Sequence, residues 1–213
     1  MDDVADRPRS LVAAWAAAVG LGLLALTATT LGNSLILERY GDAVRPDDLL
    51  FDLLPYVRPA RWLTVAALAV GFAAFLSDLV RSGRTARLPA VGVVFALMYL
   101  LRAVIMVLTP LAPAQGDGPF IFSVQNYGMF PSGHVAAVTL LALLTAPDRP
   151  GLRRLQWSMV LLVSAGLLLA HGHYSIDVVG GLLLAFFVVH AFREGRLLAP
   201  LARVTGRAGA TTP

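Results

Sequence analysis

Residues Leu168–Gly181 read LLAHGHYSIDVVGG and place two histidines and an aspartate inside an otherwise apolar run. An ionisable side chain at bilayer depth is costly to insert, so such residues mark functional sites. His173 and Asp177 are spaced i, i+4, so in a helix that continues through this segment they share one face. The carboxylate would then fix the imidazole tautomer and leave the other ring nitrogen to attack an electrophile or to take a proton. A structural His–Asp bridge is the alternative for this pair taken alone.

A second stretch, Phe130–His134, reads FPSGH. Ser132 is a typical helix N-cap, Gly133 has no side chain, and His134 falls in the first helical turn. Backbone N–H groups and the positive end of the helix dipole would converge there on a docked anion. The sequence therefore predicts an anion site beside which His134 is placed to donate a proton.

The composition is that of an all-α polytopic membrane protein. The chain has 213 residues, of which 57% are hydrophobic, and a mean hydropathy of +0.73, which is too apolar for a soluble domain and too short for two membrane domains. The absence of cysteine excludes disulfides, thiolate chemistry and Cys-bound metal. The net charge of +4 comes from arginines in short clusters between apolar runs. Such clusters orient a membrane protein, so no nucleic-acid partner is expected.

The apolar runs predict six transmembrane helices over residues 11–194. Because both motifs lie in this range, we expect it to be the catalytic domain. A cytoplasmic segment, 1–10, precedes it and a basic cytoplasmic tail, 195–213, follows it. A cleaved signal peptide is the alternative for the first run, but the run exceeds a typical h-region and no clear A-x-A site closes it. Leu35–Arg61 is predicted to be interfacial, with a short amphipathic helix near Asp48–Leu54. The predicted spans are Leu11 to about Leu31, Trp62–Val80, Pro89–Leu108, the short Ser132–Ala146, Trp157–Ala170 and Asp177–Phe192, with a break near Gly172–Tyr174.

Arginine counts predict the orientation of these spans. Twelve of the seventeen arginines lie in the N-terminal segment, the two basic turns and the tail, and four lie in Leu35–Arg61 on the other side. The positive-inside rule therefore places both termini in the cytoplasm and FPSGH and His173 outside it. Arginine without lysine, among abundant Ala, Leu and Gly, suggests GC-rich coding and a bacterial cell membrane.

The two motifs together carry a family resemblance. FPSGH, followed about forty residues later by His-x3-Asp, resembles the type 2 phosphatidic acid phosphatase (PAP2) superfamily, whose pattern is KxxxxxxRP, PSGH and SRxxxxxHxxxD. In the first block Arg102 takes the place of Lys, Thr109 replaces Arg, and Pro110 matches. In the third block Gly166 and Leu167 stand where Ser and Arg are expected. Two phosphate-gripping arginines of the pattern are therefore absent.

These departures are similar to the sphingomyelin synthase branch, in which Arg-x6-Thr, SGH and AHxHYxxDV replace the phosphatase pattern. Arg102–Thr109, Ser132–His134 and Ala170–Val178 fit that form, and the similarity covers roughly Pro46–Val189. Gly128 and Pro131 differ from that branch, and the proline is more like the phosphatases.

The resemblance implies six transmembrane helices, a lipid phosphate substrate and a phosphohistidine intermediate, without metal or cofactor. It implies a His134, His173 and Asp177 catalytic set, with a phospholipid donor and a lipid-alcohol acceptor in the bilayer, of which choline phosphate and ceramide are the family's examples. Nothing in the sequence indicates an oligomeric state. The candidate substrate-binding residues are Arg102, Ser132, Gly133, His171 and Tyr174.

The missing arginines favour transfer of a headgroup. A phosphomonoester carries close to two charges and suits several Arg forks, whereas a phosphodiester carries one charge and a substituent where a fork would clash. A PAP2-type phosphatase and a non-enzymatic scaffold or transporter are the alternatives. Three candidate substrate-binding residues also have structural alternatives. Arg102 would be a snorkelling interface residue, His171 a structural cap, and Tyr174 an interface anchor.

Overall fold

A computed structural model describes residues 6–42, 45–115 and 128–193, with side chains from residue 11 onward. The predicted tail, residues 195–213, and the middle of the connection before FPSGH, residues 116–127, lie outside the described residues. Within the described ranges the chain forms α-helices and one 3₁₀ turn, Thr85–Arg87, and no strand. The helices are α1 (Asp6–Tyr40), α2 (Leu49–Leu53), α3 (Ala60–Arg81), α4 (Leu88–Leu108), α5 (Gly133–Leu144), α6 (Pro150–Leu169) and α7 (Ser175–Arg193).

Five of these helices have the length and apolar composition to cross a membrane, among the residues that the structure describes: α1, α3, α4, α6 and α7. The sixth apolar helix, α5, has 12 residues and is about 18 Å long, shorter than the hydrocarbon core. Neighbouring helices enclose it, since Val135, Val138 and Leu140 are fully buried. The predicted all-α polytopic bundle is confirmed, with α5 at its centre.

The first helix is longer than the sequence predicts. Polar residues after Leu31 were expected to end the span, but Asn33 Nδ2 donates to Thr29 O at 2.9 Å and Ser34 Oγ donates to Thr30 O at 3.1 Å. Because these side chains bond to carbonyls four residues earlier, they do not compete with the helix. Leu35–Tyr40 therefore belongs to α1, and Ile36 in that stretch is fully buried. The interfacial position of this stretch stays a prediction.

Two other boundaries follow local rules. The predicted short helix near Asp48–Leu54 is observed as α2, with Asp48 as its N-cap. Helix α6 begins at Pro150, earlier than predicted, because proline at the first helical position loses no hydrogen bond. Arg153 and Arg154 of the predicted basic turn are consequently helical.

Candidate active site

The connection between α6 and α7 reverses the chain within five residues. Ala170 N–H donates to Gly166 O at 3.0 Å and Gly172 N–H donates to Leu167 O at 2.8 Å, which closes the end of α6. His171 has φ 46°, in the left-handed region, which non-glycine residues seldom adopt outside turns and functional sites. The predicted break near Gly172–Tyr174 is therefore present.

This break changes how the His–Asp pair forms. His173 precedes α7 instead of sharing a helical face with Asp177, so that part of the prediction is wrong. The fully buried Asp177 carboxylate reaches back from the first turn, and its Oδ2 lies 2.9 Å from His173 Nδ1 and accepts the Tyr174 N–H at 3.0 Å. With Nδ1 bonded to the carboxylate, His173 Nε2 is the nitrogen available for chemistry.

The FPSGH segment begins α5 as predicted. The Ser132 hydroxyl accepts the Val135 N–H at 3.4 Å, which confirms Ser132 as an N-cap. Its own N–H donates to the Asp177 carbonyl at 3.0 Å, so this N–H is not open to an anion. The same bond ties the start of α5 to the first turn of α7.

The structure brings the two predicted histidines together. The ring centroids of His134 and His173 are 5.7 Å apart, with 69° between the ring planes. His173 is 6% exposed, while His134 is half-buried. With Asp177, they form one cluster where α5 and α7 begin.

Two glycines allow the approach of α7 to this cluster. A Cβ added to Gly180 would lie 2.5 Å from Phe130 Cε2, and one added to Gly181 would lie 2.6 Å from the Ser132 carbonyl oxygen. Both contacts are closer than real Cβ atoms tolerate, so the two glycines let α7 pack closely against the FPSGH segment.

Gly181→Ala is therefore expected to destabilise the protein by about 1–3 kcal/mol, because the added methyl overpacks a backbone contact. Thermal unfolding of the detergent-solubilised protein measures this. Gly20→Ala in α1, where nothing lies within 4 Å of the added Cβ, is the matched control and should unfold at the wild-type temperature or above it, because alanine favours a helix over glycine. An unfolding temperature for Gly181→Ala at or above that of wild type would contradict the packing argument.

Arg102 points into the bundle and holds the segment before α5. Its Nε donates to Pro131 O at 2.8 Å and its Nη2 donates to Gly128 O. This geometry does not match a side chain that snorkels to the interface. It also commits two of the guanidinium donors to the backbone, while the predicted role in binding substrate stays a prediction.

The position that carries the third-block arginine in the PAP2 pattern is apolar here. Leu167 is fully buried in a cluster with Val163 and Val178. At the preceding position, a Cβ on Gly166 would lie 2.5 Å from Thr64 Oγ1. A guanidinium at residue 167 would have to displace this packed core, so the packing around this position excludes an arginine side chain.

Sequence reasoning missed the cover over the α6–α7 connection, which α2 and Tyr56 form. Phe51 of α2 stacks on His171, with ring centroids 4.2 Å apart and 16° between planes, and the Tyr56 ring lies 5.3 Å from the His171 ring. The apolar residues of α2 were visible in the sequence. Their partner was not, because it lies more than a hundred residues further along the chain.

Tyr174 is held between the cover and the connection after α4. Its hydroxyl donates to Ala112 O at 3.1 Å. Burial raises the pKa of Tyr174, and nearby Arg45 opposes this rise. The phenol is therefore neutral and acts as a donor at physiological pH. This internal bond does not match a tyrosine that anchors to the membrane interface.

His171 Nε2 and Asp177 Oδ1 are buried and have no hydrogen-bond partner among the described residues. Buried polar atoms are nearly always bonded, so each calls for a ligand, a water or another explanation. Both belong to segments that the sequence predicts to contact substrate.

Comparison with protein families found a match over the segment that holds this site. Residues 129–194 match the family described as PAP2 superfamily C-terminal, a segment that contains α5, α6, α7 and all three residues of the cluster. Comparison with curated proteins found no match. The match spans the part of the chain that holds the whole histidine–aspartate cluster, and this part is similar to the PAP2 superfamily.

Proposed function

We propose that the protein is an integral-membrane lipid phosphotransferase of the sphingomyelin synthase-like kind. It moves a phosphorylated headgroup from a phosphodiester phospholipid to a lipid alcohol, or to water, through a phosphohistidine. The observation that carries the proposal is the cluster of His134 and His173, with ring centroids 5.7 Å apart, in which Asp177 orients His173 through a 2.9 Å contact. This separation supports the proposal that both rings act on one phosphoryl group.

The first half of the reaction transfers the headgroup to the protein. His173 Nε2 attacks phosphorus, a P–N bond forms, and the P–O bond to the lipid alkoxide breaks. His134 gives its proton to the departing alkoxide oxygen. Asp177 keeps the His173 ring in place and stabilises the positive charge that the ring acquires.

The second half reverses these roles. His134 takes the proton from an acceptor hydroxyl, whose oxygen attacks phosphorus while the P–N bond breaks. If the acceptor is a lipid alcohol the protein is a transferase, and if it is water the protein is a hydrolase. Ser132 and Gly133 at the start of α5, together with Arg102 of α4, are the proposed contacts for the phosphoryl oxygens, whose charge grows in the transition state.

The positions of the two missing arginines support a diester substrate. Thr109 ends α4 and Leu167 is part of the apolar core, so neither supplies a cation. Arg102 already donates to Pro131. A substrate with one negative charge needs fewer cations than a monoester with nearly two. A PAP2-type phosphatase is the second candidate, which Pro131 and the family match at residues 129–194 favour.

We place the site on the extracytoplasmic side of a bacterial cell membrane, with cytoplasmic termini. Arg84 Nη2 lies 2.6 Å from Asp148 Oδ2, so the turn after α3 and the turn before α6 meet at the same end of the bundle. Both are the basic turns that the positive-inside rule assigns to the cytoplasm. The histidines lie where α6 ends, which supports the opposite face.

The test uses purified protein with lipids whose headgroup phosphate is radiolabelled. We expect diacylglycerol release from a phosphodiester lipid, and label in a new lipid when a lipid alcohol is added. Phosphate release from phosphatidic acid at a far higher rate would assign the phosphatase function instead. Orthovanadate, which mimics pentacoordinate phosphorus, tests the scaffold alternative: it should bind wild type and not His173→Ala. Absence of both turnover and vanadate binding in wild type would support a scaffold.

A further inference from the structure

Asp48 lies outside every motif discussed above and outside the matched segment, yet it joins two helices at the site. Its Oδ1 accepts the Leu50 N–H at 2.9 Å, which caps α2. Its Oδ2 accepts the N–H of Ser175, the first residue of α7. One carboxylate therefore accepts an N–H from the first turn of each of two helices that are far apart in the sequence.

The burial of Asp48 sets it apart from neighbouring acids. Asp48 is 8% exposed, whereas Asp47 and Asp52 are exposed. A buried carboxylate is costly unless it is hydrogen-bonded, and bonds from backbone N–H groups at helix N-termini are among those that best repay the cost. The negative charge also lies at the positive end of the α7 dipole.

We propose that Asp48 is a positioning residue for the His173–Asp177 pair. This role rests on the proposed function. Ser175 lies midway between His173 and Asp177 in the chain, so the bond from Asp48 fixes the turn that sets their mutual geometry. The other bond of Asp48 holds α2, whose Phe51 ring stacks on His171. The carboxylate thus keeps the cover and the His–Asp pair in one arrangement.

This role predicts a specific kinetic signature. A shift of about 1 Å in a reacting group can reduce the rate about 100-fold. Asp48→Ala is therefore expected to lower kcat about 100-fold and to change KM less than about 3-fold, because the lost alignment matters in the transition state more than in substrate binding. Asp48→Asn, which keeps an acceptor oxygen, should recover at least about 10-fold of the lost kcat.

A second variant removes the same bond from the other side. Ser175→Pro deletes the N–H that donates to Asp48, and proline is well tolerated at the first position of a helix. It should reproduce the loss of kcat, and combining it with Asp48→Ala should add little, since both break one interaction. Asp52→Ala, an exposed acid of α2, is the matched control and should keep the wild-type kcat.

The assay measures kcat and KM with the labelled diester lipid and thermal unfolding of each variant in detergent. A kcat of Asp48→Ala within about 3-fold of wild type, an effect confined to KM, or a kcat that Asp48→Asn does not recover would overturn the positioning role alone. If Asp48→Ala does not fold, Ser175→Pro decides, and failure of both to fold shows a purely structural role. Absence of turnover in wild type would instead overturn the proposed function and this role with it.

Discussion

His173→Ala is expected to lower kcat about 10⁴-fold or more, to the level left by binding and charge stabilisation alone. Alanine cannot form the P–N bond, so the two-step route through a phosphohistidine is closed. The ring also makes the 2.9 Å contact with the buried Asp177, which is lost with it. Turnover of the labelled diester lipid measures the effect, and thermal unfolding checks that the variant is folded.

The matched control is His190→Ala. His190 lies in the last turn of α7, about 20 Å along the helix from its start, and the same truncation there should leave kcat unchanged. A folded His173→Ala variant that keeps more than about one-tenth of the wild-type rate would show that His173 is not the nucleophile.

His134→Ala is expected to lower kcat by about 10²- to 10⁴-fold with a natural lipid donor, because a lipid alkoxide is a poor leaving group without a proton donor. A donor lipid analogue that releases p-nitrophenolate instead needs no protonation. Formation of the phosphohistidine from this analogue should be far less affected, and the burst of p-nitrophenolate at high protein concentration measures it.

The comparison of the two donors separates the general-acid role from a structural one. His134 packs beside His173, with ring centroids 5.7 Å apart, so the alternative effect of truncation is a displaced nucleophile. In that case both donors would react slowly, by the same factor. Equal losses for the lipid donor and for the analogue would therefore refute proton donation by His134.

The parts of the fold that depend on local pattern were predictable. Long apolar runs predict the helices since their length matches the bilayer. Ser132 before Gly133 predicts an N-cap, and the polar residues of the α6–α7 connection predict a break. The meeting of His134 with His173 was also expected from the motifs, although their chemical roles stay predictions.

The rest depends on contacts between distant segments. The end of α1 was misplaced because Asn33 and Ser34 bond within their own helix. The i, i+4 spacing correctly predicted that His173 and Asp177 are partners. It predicted the wrong geometry, because the Asp177 carboxylate reaches back across the start of α7 to His173. The double cap by Asp48 depends on a bond that spans 127 positions of the chain, which no local pattern contains.

If His173 carries the phosphorylated headgroup during turnover, this intermediate can be trapped on the protein. Wild type is mixed with a phosphodiester lipid labelled in its phosphate and denatured within one turnover. We expect protein-bound label that resists alkali, is lost in acid as a phosphoramidate should be, and maps to the peptide containing His173. Label on another residue, or no more label in wild type than in His173→Ala, would contradict it.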